Sequence, residues 1–385
     1  MKKCLVFGLS SQWAGVEAFI FNYIKNMEKI DNTIRYEFVL FDKVPDYFED
    51  SFLKNHEVHI VPTRLRRPIA YYNKLKKIVR QGQFDIIWYN ACTLSDITLL
   101  KIAKKYRVPC RIVHSHNSEN MGGKFVQCLH TIHKKAIGRI ATDFFACSKE
   151  AGEFMFSERI CKKDMQIVKN AICVEKYVFN SEIRQTKRRS LGIQEELLIG
   201  HVGRFHFQKN HDFIIKVFNH VLLMHENSKL LLIGEGELKE KIINESKKLG
   251  IFDKIIFLEK RKDVNELIQA MDVFLFPSRF EGLGIALIEA EASDLPCIIS
   301  DKIPDEAKLT KKIRSFSLQE SPKVWADAIL EESKNSTRKS QEKVFKEKGY
   351  DISYNAKIMV NSFNKMIERG KQENKACFSV KENHL

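Results

Sequence analysis

Short apolar runs recur along the whole chain, and between them lie segments whose apolar residues return every three or four positions. In the first half, runs at 3–8, 35–41, 85–89, 110–114, 143–147 and 165–168 predict strands, and periodic segments at 16–28, 70–81, 95–106 and 124–140 predict helices. A second set of strands near 197–202, 228–233, 254–258, 272–276 and 296–300 repeats the pattern, again with helices between. Strands that are apolar throughout belong to parallel sheets covered on both faces, so the alternation predicts two doubly wound, Rossmann-like α/β domains. The basic stretch 181–190 lacks strand character and is expected to lead from one to the other, giving domains over 1–185 and 186–350. A last helix is expected within 351–370, ahead of a frayed tail at 371–385. The 385-residue length exceeds what one core ordinarily serves, and 44% hydrophobic content suffices for two.

Two turns in the second half carry candidate chemistry. The run Val273 to Phe276 ends in Pro277-Ser278 and is followed by Glu281-Gly282-Leu283-Gly284, with Glu289 eight residues beyond Glu281. A strand-to-helix turn there places both carboxylates outside the carboxyl end of a strand, where open α/β sheets bind ligands, and a carboxylate accepts hydrogen bonds from sugar or ribose hydroxyls. Gly282 and Gly284 let backbone amides approach such a ligand without interference from Cβ. A Glu at a helix start also simply complements the macrodipole. Upstream, the strand ending at Val202 is followed by Gly203-Arg204 and Lys209, then by a helical pattern from His211. The two cations stand beside free helix N–H groups, where a diphosphate fits; otherwise they are solvated surface charges. The Gly234-Glu-Gly236-Glu turn after another strand adds weakly to the pattern.

In order and spacing, these residues resemble the glycosyltransferase 4 family, retaining enzymes of the two-domain GT-B fold that include capsular and exopolysaccharide sugar transferases. The matches are Gly203, Arg204 and Lys209, the turn from Gly234 to Glu237, and the run from Pro277 to Ala290. The resemblance implies that Arg204 and Lys209 hold the donor diphosphate, Glu281 contacts the transferred sugar, and Glu289 binds the ribose of a nucleotide sugar, expected to be a UDP-sugar. It also implies that His116, at the end of Arg111-Ile-Val-His-Ser-His116, contacts the donor sugar from the other side of a cleft, with Asn117 nearby. The paired-glycine loop of the family is Trp13-Ala14-Gly15-Val16-Glu17 here, so Gly15 and Glu17 are candidate cleft residues; Glu17 reads equally as a helix-start acid. Asp294 replaces the usual glycine before Leu-Pro, which is expected to alter only a turn. Asn170 to Tyr177 resembles the segment before the family's linker and is expected to be structural.

The net charge of +15 is uneven: residues 1–190 hold 33 Lys and Arg against 19 Asp and Glu, whereas 191–385 hold 31 against 30. A basic half attracts nucleic acid, anionic lipid or an anionic substrate. The segment Arg64 to Arg80 interleaves cations with Leu65, Ile69, Tyr71, Tyr72, Leu75, Ile78 and Val79, as suits acidic headgroups; it reads equally as a packed helix with a basic outer face. The resemblance, to enzymes that extend lipid-diphosphate-linked glycans, favours an anionic membrane surface, and no recognition motif supports nucleic acid. Nine cysteines without a Cys-x-x-Cys pair, no signal-peptide pattern and no spanning apolar run lead us to expect a cytoplasmic protein, peripheral at the inner face of the plasma membrane.

His114, His116, His130 and His133 raise the question of a metal, but no further ligand motif joins them, and no Asp-x-Asp occurs in the chain. No metal and no cofactor other than the nucleotide-sugar substrate is expected. The leading expectation is a retaining hexosyltransferase for which no protein nucleophile is named. Two alternatives stay open: a nucleotide-sugar epimerase on the same architecture, and a non-catalytic nucleotide-sugar-binding partner of another transferase.

Overall fold

The computed structural model describes residues 1–12, 15–48, 55–119, 122–334 and 337–382, with side chains through 372. Trp13 and Ala14 of the first candidate turn, and residues 383–385 of the expected tail, lie outside them. The chain forms two units, Met1–Ala171 with Ile352–Leu385, and Ile172–Asp351.

In the first unit a seven-stranded sheet runs β3-β2-β1-β4-β5-β6-β7. Its strands are β1 Lys2–Phe7, β2 Ile34–Phe41, β3 Glu57–Val61, β4 Ile86–Ala91, β5 Cys110–Ser115, β6 Asp143–Ala146 and β7 Met165–Ile167. All neighbours are parallel, so each connection is a crossover; α1 Gly15–Ile30 joins β1 to β2, and the connections from β3 onward are carried by α2 Pro68–Gly82, α3 Thr98–Lys105, α4 Lys124–Ala136, α5 Lys149–Met155 and α6 Glu158–Lys163. Strand order reverses beside β1: Cys4 pairs with Tyr36 on one side and with Ile86 on the other.

The second unit repeats the scheme with six parallel strands in the order β10-β9-β8-β11-β12-β13. They are β8 Leu197–Val202, β9 Ser228–Ile233, β10 Ile255–Leu258, β11 Val273–Phe276, β12 Cys297–Ser300 and β13 Ile313–Phe316. Its helices are α7 Ser181–Ser190, α8 His211–Met224, α9 Lys239–Lys248, α10 Val264–Ala270, α11 Ile285–Ala292, α12 Pro322–Glu332 and α13 Glu342–Glu347. The unbroken apolar character of β11 follows from burial on both faces: Phe274 and Phe276 pack into one core layer and Val273 and Leu275 into the other.

The sequence pattern missed β3 and β13, both outermost strands. An edge strand pairs on one side only and carries polar residues, so Glu57-Val-His-Ile-Val61 and Ile313-Arg-Ser-Phe316 have no apolar run to detect. The units divide at Ala171, before the expected 185/186, because α7 is tied to the second sheet. Arg184 Nη2 lies 2.5 Å from Asp272 Oδ1, Arg188 Nη1 lies 3.2 Å from Asp272 Oδ2, and the Asn180 amide donates to Gln269 Oε1 at 2.8 Å.

The last helix, α14 Ile352–Glu382, packs on α1 in the first unit and stays helical into the tail expected to fray. Arg369 reaches both Asp143 oxygens at 2.8 Å, and Asn355 donates to the Tyr23 hydroxyl, which itself donates to the Lys169 carbonyl. Asp294 occupies a left-handed position (φ 51°) after α11 that favours glycine. Its carboxylate offsets that cost by accepting from the Lys339 amide at 2.8 Å and pairing with Lys312 at 2.9 Å. The turn is therefore altered but kept.

Candidate active site

In a doubly wound sheet the crevice for ligands lies at the carboxyl ends of the strands where their order reverses. In the second unit that point is β8 beside β11. The turn after β8 carries Gly203, Arg204 and Lys209, and the turn after β11 carries Glu281, Gly282, Leu283 and Gly284, so the crossover unites two motifs far apart in sequence. Lys209 Nζ sits 2.6 Å from Glu281 Oε1, with both side chains largely withdrawn from solvent, and 4.9 Å from the centre of the Phe276 ring. Gln208 holds the other carboxylate oxygen: its Nε2 donates to Glu281 Oε2 at 3.1 Å and to the Phe280 carbonyl at 2.9 Å. The Arg279 amide donates to the Gln208 carbonyl at 2.8 Å, fastening the two turns backbone to backbone.

The glycines earn their places sterically. A Cβ on Gly203 would stand 2.8 Å from His201 Nε2 and 3.2 Å from the Lys209 stem, so this position must be bare for Lys209 to cross it. Gly234 (φ +151°) and Gly236 (φ +149°) lie under the same turn: a Cβ would meet the Gly203 carbonyl oxygen at 2.1 Å and the Phe205 carbonyl oxygen at 2.4 Å. Phe205, fully buried, stacks on His211 at 4.2 Å and anchors the turn to the core. Gly284 (φ +79°) caps α11, while Gly282 faces open space. Arg204 stands apart from the Lys209–Glu281 pair; it is exposed and lies 3.4 Å from Glu237 Oε2.

Glu289, on α11, accepts a hydrogen bond from the Tyr177 hydroxyl at 2.6 Å. Burial pushes its carboxyl up to about 7, against the lowering effect of that bond. Two residues on, fully buried Glu291 receives the Leu309 amide at 2.8 Å and the Thr310 amide at 2.6 Å on Oε1, and burial lifts it to about 7 as well.

In the first unit the order reverses between β1 and β4, with β5 next. His116 follows β5, and its Nε2 lies 2.9 Å from Asn90 Oδ1 at the end of β4. Asn90 Nδ2 donates to the Phe7 and Trp88 carbonyls, which leaves Oδ1 as acceptor. Nε2 of His116 therefore carries the proton and Nδ1 is a lone-pair acceptor. Burial lowers the ring to about 3, so it stays neutral at physiological pH. His114 is fully buried, takes the Trp88 indole N–H on Nδ1 at 3.4 Å, and packs 4.2 Å from His116.

The remaining candidates in this unit are tied locally. The buried Glu17 carboxylate accepts from the Ser10 amide at 2.7 Å and so braces the β1–α1 turn, Gly15 opens α1, and Asn117 Nδ2 donates to the Glu119 carbonyl at 2.8 Å. His130 and His133 bind the Leu94 backbone, at 3.1 Å and 2.6 Å.

Sequence reasoning missed Asn90, Gln208 and the link from Tyr177 to Glu289. Asn90 did leave a signal, a polar residue at the carboxyl end of the apolar run Ile86-Ile-Trp-Tyr-Asn90. A β1–β4 approach that leaves no room at Gly8 (φ +110°), where a Cβ would fall 1.9 Å from the Asn90 carbonyl oxygen, left none.

Two doubly wound parallel units match the two-domain architecture of GT-B proteins. The profile described as "Glycosyl transferases group 1" matches residues 183–351. The chain belongs to this family, glycosyltransferase 4. It is 28% identical over 366 residues to the putative glycosyltransferase EpsF of Bacillus subtilis (strain 168), covering 92% of this chain and 94% of that one. To the N-acetyl-alpha-D-glucosaminyl L-malate synthase of Bacillus anthracis it is 34% identical, over 64% of this chain and 71% of that one. Among solved structures it resembles Anabaena Alr3699/HepE in complex with UDP and glucose, with a TM-score of 0.66 and 15% identity over 98% of this chain and 100% of that one.

Proposed function

We propose that this enzyme is a retaining, metal-independent transferase that moves a sugar from a UDP-sugar to a hydroxyl of a growing, lipid-diphosphate-linked capsular or exopolysaccharide glycan. The observation that carries the reading is the 2.6 Å Lys209–Glu281 pair at the β8/β11 switch point. It joins a cation for a departing diphosphate to a carboxylate for sugar hydroxyls. The complex of the Anabaena protein with UDP and glucose supports uridine as the base.

In this reading the second unit holds the donor. Lys209 and the exposed Arg204 take the diphosphate and stabilise the charge that grows as the glycosidic bond breaks, each such contact lowering the barrier by about 2 to 4 kcal/mol. The turns at Gly203, Gly234 and Gly236 and the start of α11 at Gly282, Leu283 and Gly284 bring backbone close to the donor. Glu281 binds the sugar, and Glu289 receives a ribose hydroxyl on Oε2. His116, neutral, offers Nδ1 as an acceptor to a sugar hydroxyl. The acceptor hydroxyl attacks the face that the leaving group vacates, so no protein nucleophile is required. Gly15, Glu17 and Asn117 shape the acceptor approach in the first unit.

The lipid-linked acceptor is supported by the surface of the first unit. Leu65 and Ile69 are 95% and 78% exposed beside Arg64, Arg66 and Arg67, while Tyr71, Leu75, Ile78 and Val79 pack into the core. The basic segment thus divides into an apolar, cationic entry and an ordinary packed helix. On α4, which has no acidic residue in its first turn and basic residues in its last, Phe125 and Ile132 are exposed seven residues apart. Arg64 Nη1 binds the Ser95 carbonyl at 3.1 Å and His133 binds Leu94, so both patches flank one loop after β4. Such a face suits an anionic bilayer at the inner side of the plasma membrane. No helix among the described residues is long and apolar enough to cross one.

The test is mass spectrometry of the purified enzyme with a panel of nucleotide sugars, with and without a lipid-diphosphate sugar acceptor, in chelator. Acceptor-dependent addition of one sugar from a UDP-donor is the expected result, with the anomeric configuration kept when the product is read by proton NMR. Donor interconversion without acceptor would replace this reading by an epimerase, and binding without turnover by a non-catalytic partner.

A further inference from the structure

Tyr177 closes a 3-10 turn, Val174–Tyr177, that leads into α7. The turn is pinned at two points four residues apart, one on α11 and one at the residue that caps its carboxyl end. The Tyr177 hydroxyl donates to Glu289 Oε1 at 2.6 Å, and Ser293 Oγ donates to the Tyr177 carbonyl at 2.7 Å. From α10, Asn265 Nδ2 donates to the Lys176 carbonyl at 3.2 Å. The Tyr177 ring lies in the core layer that also holds Leu287 and Ile288 of α11.

We propose that Tyr177 is a positioning residue for the donor site, fixing Glu289 Oε1 so that Oε2 alone is presented to the ribose. This rests on the reading that Glu289 binds the ribose. A free Glu side chain turns readily about its last torsion, and ordering it on binding costs affinity. Here that order exists before the donor arrives. Burial keeps the phenol protonated, so it always donates, and its bond to the carboxylate is what opposes the upward push of burial on Glu289.

Other titratable groups on the packed elements are engaged elsewhere or act on Tyr177. Cys173, in the residue before the turn, faces Tyr177, and Glu266 of α10 pairs with Lys187 at 2.7 Å. Asp305 pairs with Lys308 at 2.7 Å, Glu306 lies beside Tyr350, and Glu291 is committed to the Leu309 and Thr310 amides.

Calorimetric titration of UDP and of 2′,3′-dideoxy-UDP into wild type, Y177F, S293A and E289Q, from pH 6 to 8.5, tests the assignment. Y177F keeps the ring and removes only the hydroxyl. It is expected to weaken UDP about tenfold at pH 7.5, to move the midpoint of the UDP pH profile upward, and to leave the dideoxy analogue unchanged. S293A loosens the same turn without touching the hydroxyl and is expected to keep the wild-type profile. Wild-type UDP affinity and profile in Y177F, or equal losses in Y177F and S293A, would overturn the role of Tyr177. Wild-type UDP affinity in E289Q would instead overturn the ribose reading beneath it.

Discussion

Lys209 and Glu281 stand 72 positions apart in sequence and 2.6 Å apart in space. An ion pair this withdrawn from solvent is costly to break from one side, because the remaining charge stays buried without its partner. K209A is therefore expected to lose both catalysis and stability, with kcat/KM down at least about 100-fold. E281Q keeps the hydrogen bond and is expected to retain the fold while donor turnover falls. Steady-state kinetics with thermal unfolding separates the two effects; a K209A enzyme within threefold of wild type would remove Lys209 from the donor site.

Asn90 sets the tautomer of His116. N90A removes the acceptor for Nε2–H and frees the ring to flip or exchange its proton, so kcat is expected to fall about tenfold with the donor KM little changed. N90D supplies a charged acceptor that favours the imidazolium, which is expected to add a His116-dependent step between pH 5 and 8 to the kcat profile, on top of any Glu289 titration that the wild type shares. The pH profiles of the three enzymes check this, and identical profiles for N90D and wild type would count against it.

Glu291 predicts a pH dependence of stability. Its folded-state value of about 7 lies above the ordinary 4.5, so the native state holds the proton longer than the unfolded chain does. The stabilisation is complete below about pH 4.5 and is lost as pH rises towards 7, on the order of 3 kcal/mol in all. E291Q preserves an acceptor for the Leu309 and Thr310 amides without the titration. Scanning calorimetry at pH 5 and pH 8 is expected to show a drop in Tm smaller in E291Q than in wild type by roughly 5 °C. Equal drops would show that Glu291 does not titrate in this window.

The apolar, basic face of the first unit predicts lipid binding. Wild type is expected to co-sediment with vesicles containing anionic lipid, less with purely zwitterionic ones, and less as salt is raised. The combined variant L65S, I69S, F125S and I132S is expected to bind at least tenfold more weakly while keeping its activity on a water-soluble acceptor analogue, since each buried apolar side chain contributes roughly 1.5 to 3 kcal/mol. Unchanged sedimentation would place the acceptor's lipid elsewhere.

The sequence alone determined the two alternating α/β patterns, the turns that carry Arg204, Lys209 and Glu281, and the helix that carries Glu289. Apolar runs and glycine punctuation are local signals, set by burial on both faces of a parallel strand and by backbone sterics. What it could not hold was which turns meet. Strand order is a global property, and β11 lies beside β8 only because two intervening strands stack on the other side, bringing Lys209 to Glu281. The same limit hid Asn90 behind His116 and Tyr177 behind Glu289: each is a side chain whose role depends on a partner 26 or 112 positions away. It hid β3 and β13 because edge strands need not be apolar. It also left open whether Arg64 to Arg80 is a surface patch or a packed helix, and the tertiary structure made it both, exposing Leu65 and Ile69 and burying Leu75 and Val79. Burial is decided by what packs opposite, and a one-dimensional pattern does not contain it.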